Sequence, residues 1–452
     1  MVADSGSGTP QYIYDSNKVN LSPRFGVSYQ PFSGTVVRAN YGLYYDQPAG
    51  QAFFGNIGIP NGGAGGVNNN PAGSQPNEAI VLNTPNAAPI WTYNQTTPIF
   101  TASQGQPTGS NIVSIYSASR NFKTPYAQLF GLNIEQSLGK AWQLNVGYVG
   151  SVSRHNLVLQ DINQNALGGD QNSSTVTVNG NTFPYQQSTR PYFSQYPNFG
   201  IINQLNSAAS SSYNSLQVTL KSIAWHGLTS QFAYTWSHNL DDSSAFNILP
   251  QNSNNLAGDW GNAEYDVRNH FAAYLDYAIP GFSYGPRALT HGWEVNSILK
   301  FQNGEPVNIL SGSDNSGTAE GEDRATITGR ALTGNESVQG HSYAQYLNPS
   351  SFAAPANATY GNLGRNQVIG PGFGDVDLSL LKNIPIYKER VRAQFRVEMF
   401  NVFNRVNLAA PVNNFASGSF GQSTSTIGIQ YGAPGIGSGE PYNTQLALKI
   451  IF

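Results

Sequence analysis

About eleven stretches of this 452-residue chain alternate their side chains with a period of two, and the links between them alternate in length, short then long. The stretches fall near residues 22–31, 34–46, 125–138, 141–152, 212–223, 228–239, 268–279, 292–310, 374–384, 390–403 and 443–452. In KAWQLNVGYVGS, Trp142, Leu144, Val146 and Tyr148 alternate with Gln143, Asn145 and Gly147. That is the period of a strand, whose successive side chains point to opposite faces. The clearest case is ERVRAQFRVEMFNVFN, where Val391, Ala393, Phe395, Val397 and Met399 interleave with Arg392, Gln394, Arg396 and Glu398. Three charges on one strand face do not belong in a dry core.

The links separate a sandwich from a barrel. Short ones are PFSG, LGKA, AWHG, NIPIYK and the somewhat longer PGFSYGPRALTH. The others run to roughly 30 to 80 residues, far above the usual loop of a compact domain. A sandwich has no reason to gather every long loop at one end, whereas transmembrane barrels keep short turns on the periplasmic side and long loops outside. Counted back from a C-terminus on the short-turn side, every short link lands there and every long one opposite. The fold class read from the residues is therefore all-β, an antiparallel transmembrane β-barrel with long extracellular loops.

Composition agrees. Only 10% of residues are charged, against roughly 25% in ordinary soluble domains. Gly (48), Tyr (25) and Phe (23) are abundant and Met is 2, so strand and turn formers dominate over helix formers. A net charge of −3 without a basic block excludes a nucleic-acid surface. The absence of cysteine excludes a disulfide framework and thiolate metal sites. No apolar run approaches the roughly 18 residues of a membrane-spanning helix, so a membrane location requires a barrel. The opening MVADSGSGTPQYIYD has neither the basic nor the apolar region of a secretory signal. The expectation is a cytoplasmic chain or a beginning that lies upstream.

The closing QLALKIIF places Leu446, Leu448, Ile450 and Phe452 on one side, although chain ends are usually polar. That face is expected to meet lipid, and the polar faces of the other strands to line a lumen. Tyr44, Tyr45, Trp142, Tyr148, Trp236 and Trp293 stand near strand ends and suit aromatic girdles. Single-chain bacterial barrels have even strand counts, and an open sheet leaves two unpaired edges, so about eleven strands read as part of a larger wall.

Arg38, Asp266, Arg268, His270, Arg392, Arg396 and Glu398 are the lumen-lining candidates. Pairing among themselves is the more ordinary role of wall charges; contact with a plug or a substrate is the alternative. The histidines (His155, His226, His238, His270, His291, His341) show no ligand spacing. Asp241 and Asp242, and Glu320, Glu322 and Asp323, are weak candidates for a hard cation; solvated loops are the ordinary reading, since the EF-hand spacing is absent. GAPGIGSG lacks the Lys-Ser/Thr ending of a phosphate loop. No catalytic constellation stands out, so neither an enzymatic activity nor a cofactor is expected.

The segments AYTWSHNLDDSSAFN (233–247), GNAEYDVRNHFAAYLDYAIP (261–280), FRVEMFNVFNRVNLAAP (395–411) and the closing TQLALKIIF resemble the C-terminal barrel half of TonB-dependent receptors, in particular the Oar-like kind common in Acidobacteria. The resemblance runs from about Asn20 to the end, with residues 1–19 as a connecting segment. It implies an outer-membrane barrel of about 22 strands, of which these would be the last half, with a plug domain that this stretch does not contain. It further implies import of a scarce bulky nutrient (oligosaccharide, siderophore or peptide) with energy relayed by TonB. The implied partners are outer-membrane lipid, the TonB system acting through the plug, and the barrel-assembly machinery, which would read Leu446, Leu448, Ile450 and Phe452 as its signal. PYNTQ departs from the family, which often carries an arginine before the last strand. Two other readings stay open: a non-transporting surface β-protein binding partners through long loops or open sheet edges, and a soluble β-sandwich binding module.

Overall fold

The computed structural model describes residues 19–47, 91–93, 100–102, 112–119, 121–169, 172–321, 323–331, 344–387, 391–427 and 441–452. Its frame is one antiparallel path of strands: β1 (Arg24–Phe32), β2 (Thr35–Tyr45), β3 (Tyr126–Leu138), β4 (Trp142–Asp161), β5 (Phe199–Trp225), β6 (Leu228–Asp241), β7 (Asn269–Ala278), β8 (Trp293–Gln302), β9 (Phe373–Tyr387), β10 (Val391–Phe400) and β11 (Asn443–Ile451). Each pairs with the next along the chain, and every junction is antiparallel. Tight turns enforce this order. Trp225 opposes Leu228 across a two-residue turn in which His226 and Gly227 both take positive φ, as the hairpin turn that matches strand twist requires.

Because direction alternates, the links β1–β2, β3–β4, β5–β6, β7–β8 and β9–β10 share one rim. The long links, residues 46–125, 162–198, 242–268, 303–372 and 401–442, share the other. The rims expected from link lengths are therefore those observed.

The two faces also follow the alternation. Leu446, Leu448 and Ile450 oppose Val397, Phe395 and Ala393, which oppose Leu380, Lys382 and Ile384. The other face carries Gln445 opposite Glu398 and Lys449 opposite Gln394, which in turn opposes Asn383. Burial is inverted relative to a soluble sheet: Leu446 and Leu448 are 69% and 71% exposed, while Gln394 is buried. The apolar core sits instead in the loops, where Val307, Ile309, Leu347, Phe352, Leu363 and Phe420 pack together from the 303–372 and 401–442 links.

Four expectations are corrected. β4 and β5 run to 20 and 27 residues, well past the roughly 9 to 11 that cross a bilayer. Their extra length joins a polar stretch, Asn156 opposite Ala209 and Arg154 opposite Ser210, to a buried apolar one in which Leu159 opposes Leu205, and neither stretch alternates with a period of two. β8 ends at Gln302 rather than near 310, because Gly304 lies so close to the Gly370 carbonyl that no Cβ fits and Pro306–Val307 pairs away with Val368–Ile369. A parallel strand, Val113–Ala118, adds to β5. β1 and β11 do not pair with each other, so the described wall is an open sheet, in keeping with about eleven strands read as part of a larger wall. Tyr148 also lies well inside β4 rather than near a strand end, its hydroxyl donating to Asn214 (2.6 Å).

Candidate functional site

A strand that must present one face to an apolar medium puts its charges on the other, and neighbouring strands then bring those charges within reach of one another. Arg38 pairs with Glu135 at 2.6 Å across β2 and β3. At the far end of the sheet Arg396 pairs with Glu398 (3.4 Å), and its Nε donates to Gln394 (2.6 Å). His270 stands on the same face at the start of β7, opposite Thr235, whereas Arg392 is exposed at the short-turn end opposite Ile451. Asp266 and Arg268 precede β7; they pair at 3.1 Å, and the buried Asp266 also accepts from the Asn239 backbone N–H (2.7 Å). The structure thus joins Arg396 with Glu398 and Asp266 with Arg268, and leaves Arg38, His270 and Arg392 apart from them.

Other polar-face residues belong to this wall. Asn296 lies between two carboxylates on β7 and β8, its amide nitrogen donating to Asp276 (3.0 Å) and Glu294 (3.3 Å) in the orientation that satisfies both. Asp377 accepts from the Asn401 backbone N–H (2.9 Å). Each could have been read from the same alternation that revealed Arg396.

The long-loop rim is tied down by three buried ion pairs. Arg190 donates to Asp161 (3.2 Å) and to the Asn163 carbonyl (2.6 Å). Arg324 donates to Asp259 (2.6 Å) and to the Leu363 carbonyl (2.9 Å). Arg365 pairs closely with Asp241 and also donates to the Asp259 carbonyl (2.7 Å). A guanidinium with five donors in a planar fork is suited to satisfying several carbonyls and a carboxylate at once. Each arginine therefore stitches separate links into one cap. The small cavity between two of these pairs, about 40 Å³ and lined by Ser244, Gln251, Arg324 and Arg365 among others, has room for water and not for a ligand.

The described carboxylates of the two acidic stretches are engaged by other groups of the chain or lie apart. Asp241 is engaged by Arg365 and by the Ser244 hydroxyl (2.9 Å), and Asp242 accepts from the Ser210 backbone N–H (2.8 Å) while burial pushes its carboxyl up. Asp323 accepts from the Ser316 backbone N–H (2.6 Å). Glu322 and His341 lie outside the described residues. Glu320 is buried, and desolvation, reinforced by the nearby Asp161 carboxylate, pushes it up to about 9. Among the described residues no donor of ordinary geometry reaches either of its oxygens, although the Ser253 hydroxyl lies alongside. Among the described residues no trio of His, Asp or Glu side chains is placed to hold a metal ion.

A wider depression of about 540 Å³ opens on the long-loop rim, lined by Asn172, Ser173, Ser174, Thr175, Thr182 and Gln186 with Phe183 and Pro184 beneath. That volume is in the range of ligand pockets. Its walls combine hydroxyls and amides with the apolar Ile112, Phe183 and Pro184 and carry no titratable group, a surface chemically suited to a neutral ligand with both polar and apolar parts.

A family model described as an outer membrane beta barrel domain matches residues 1–430. No curated protein matches the sequence. Among solved structures, the chain is similar to the outer membrane transporter YddB from Escherichia coli (10% identity, TM-score 0.45, covering 95% of this chain and 40% of that one). It is similar also to the FrpB iron transporter from Neisseria meningitidis (13%, TM-score 0.40, covering 96% and 39%) and to the ferric-catecholate import receptor Fiu from K12 E. coli (10%, TM-score 0.41, covering 95% and 34%). The chain spans no more than 40% of the length of these three.

Proposed function

Because this chain belongs to the outer membrane beta-barrel domain family, we propose that it is the C-terminal half of the wall of an Oar-like TonB-dependent receptor, importing a bulky nutrient through a lumen lined by its polar face. The observation that carries this reading is the direction of the two open edges. All junctions from β1 to β11 are antiparallel, and an odd number of strands leaves β1 and β11 running the same way. A sheet that closes the wall with antiparallel ladders must itself have an odd number of strands and edges of the opposite direction. The first half of a single-chain barrel with an even strand count meets that requirement.

A second copy of this chain does not, since rotation about the membrane normal would set its edges parallel to those of the first. The alternative of an assembly unit pairing through its own edges is disfavoured on the same ground. In the receptor reading the Arg–Asp cap forms the extracellular vestibule, and the neutral depression at Asn172–Gln186 suits an uncharged polyhydroxylated nutrient better than an anionic siderophore. TonB would act through a plug domain carried elsewhere in the receptor.

The test is the reading frame upstream of the Met1 codon. A signal peptide, a plug and further alternating strands in frame support the receptor. A stop codon immediately upstream in several independent isolates of the source genome would overturn it.

A further inference from the structure

The β7–β8 connection is the longest on the short-turn rim, and it carries exposed apolar side chains. Phe282, Tyr284 and Leu289 are 51%, 75% and 68% exposed. Its position relative to the wall is fixed by two contacts. Trp293 stands on the apolar face, in the row of Lys382, Phe395 and Leu448, and its indole N–H donates to the Leu289 carbonyl (2.7 Å). The Lys382 ammonium lies 4.9 Å from the Trp293 ring centroid and donates to the His291 carbonyl. Both contacts lean the connection toward the apolar side of the sheet and away from the polar face.

Charge adds a second observation. Lys382 is a buried cation on an apolar row, and Arg287 is an exposed one in the helical turn Arg287–Thr290. Among the described residues no carboxylate pairs with either. An apolar cluster continuous with a lipid-facing wall, with unneutralised cations at its margin, is the pattern of an element lying in the headgroup region of an anionic monolayer. The aromatic rings suit the same depth.

We propose that the Pro280–Gly292 connection is a membrane-surface anchor that rests on the adjacent phospholipid leaflet, with Phe282, Tyr284 and Leu289 among the upper acyl chains and Arg287, backed by the field of Lys382, at the phosphate of an anionic lipid. This requires only that the apolar face meets lipid; it does not depend on what the receptor transports. Exposed apolar side chains also flank the tight turns of the same rim, Phe32, Ile223 and Trp225 among them, and this longer connection adds to them in holding the depth of the wall on that side. Lys382, covered by Trp293 and a carbonyl, supplies potential rather than a contact.

The chain has no cysteine, so single-cysteine spin labels report one position each. Leu289→Cys, with Asn179→Cys on the opposite rim as the aqueous reference, is labelled in the full chain folded into vesicles. The vesicles are phosphatidylcholine alone or phosphatidylcholine with a minor fraction of phosphatidylglycerol. The folded fraction is identified by its heat-modifiable mobility. The proposal expects an oxygen-to-nickel accessibility ratio several-fold higher at position 289 than at 179. Arg287→Glu should lower that ratio only where phosphatidylglycerol is present.

A nickel-accessible label at 289 in both vesicles would overturn the anchor. A label shielded from oxygen and nickel alike would place the patch against protein and overturn the lipid occupant. Should the vesicle sample not fold, the chain extracted folded from outer membranes gives a second readout. Phosphatidylglycerol co-purifying with it should fall several-fold in Arg287→Glu, and an unchanged amount would overturn the proposal.

Discussion

Arg365 and Asp241 are 124 positions apart in sequence and form a buried ion pair in which the arginine also bonds the Asp241 carbonyl (2.5 Å). The pair fastens the β8–β9 link to the end of β6. Breaking a buried pair by removing one partner strands a charge, which costs about 3 to 5 kcal/mol. Arg365→Met should therefore loosen the cap while leaving the strands intact. The measurement is protease cleavage within residues 242–268 and 303–372 of the membrane-folded protein, expected to quicken in the single variant while heat-modifiable mobility is kept. The double variant Arg365→Met with Asp241→Asn should recover part of the resistance, because no charge is then left unpaired. Identical cleavage in wild type and single variant would show that the pair does not hold the cap.

Val397 and Arg396 are neighbours on opposite faces of β10, the first opposite Leu446 and Leu380, the second opposite Ala447 and Leu381. An arginine on the lipid face near the midplane costs roughly 2 to 4 kcal/mol. Val397→Arg is therefore expected to cut folded yield in membranes much more than Arg396→Val, which removes only a partly exposed pair with Glu398 worth about 1 kcal/mol or less. Equal losses in the two variants would refute the assignment of faces.

How far the sequence carried depended on whether a feature is local. The path from β1 to β11 was legible because alternation is written residue by residue: Val391, Phe395 and Val397 declare a face without reference to any other segment. The rims were legible because link length is local too. The extensions of β4 and β5 were not, since the run Leu157–Val158–Leu159 is apolar on both faces and the stretch from Ser207 to Ser212 is polar or small on both, and neither gives a period of two to read. Nor were the cap pairs. Asp241 looked like a loop carboxylate that might meet a cation, and nothing near it announces that Arg365 will neutralise it. Arg396 and Glu398, two residues apart on one strand face, could be paired on paper; Arg324 and Asp259 could not.

Glu320 gives the cap a pH dependence with a definite sign. Its folded carboxyl is raised from the ordinary 4.5 to about 9 by burial and by Asp161, so the folded cap holds a proton that the unfolded chain releases near its ordinary value. Stability from this group is fully present below about pH 4.5 and is lost progressively as pH rises to about 9, beyond which it is constant. Protease resistance of the cap should accordingly fall between mildly acidic and alkaline buffer. Glu320→Gln, which keeps the shape and cannot ionise, should flatten that profile and raise resistance at the alkaline end. The Arg–Asp pairs are intact in both proteins and serve as the internal control. A profile unchanged by Glu320→Gln would assign the pH dependence to other groups.

Phe452 lies one residue beyond Ile451, the last residue of β11 to pair with β10, and its side chain is 94% exposed. It buries almost nothing against the described chain, so its removal should change the stability of the folded wall by little. Leu446, Leu448 and Ile450 stand in step with it on the apolar face. An aromatic that contributes so little packing, at the end of an apolar edge strand, is explained if the barrel-assembly machinery engages that edge before the sheet is closed. The expected outcome is a separation of two quantities. In cells expressing the protein, deletion of Phe452, or a charged tail appended after it, should lower the amount of heat-modifiable protein reaching the outer membrane several-fold. The molecules that do fold should unfold at the same denaturant concentration as wild type. Leu448→Ser should lower both quantities, because Leu448 also pairs against Phe395. Undiminished assembly of the deletion and the tailed variant would rule out the signal role, and a deletion that lowers folded stability as much as assembly would return Phe452 to ordinary packing.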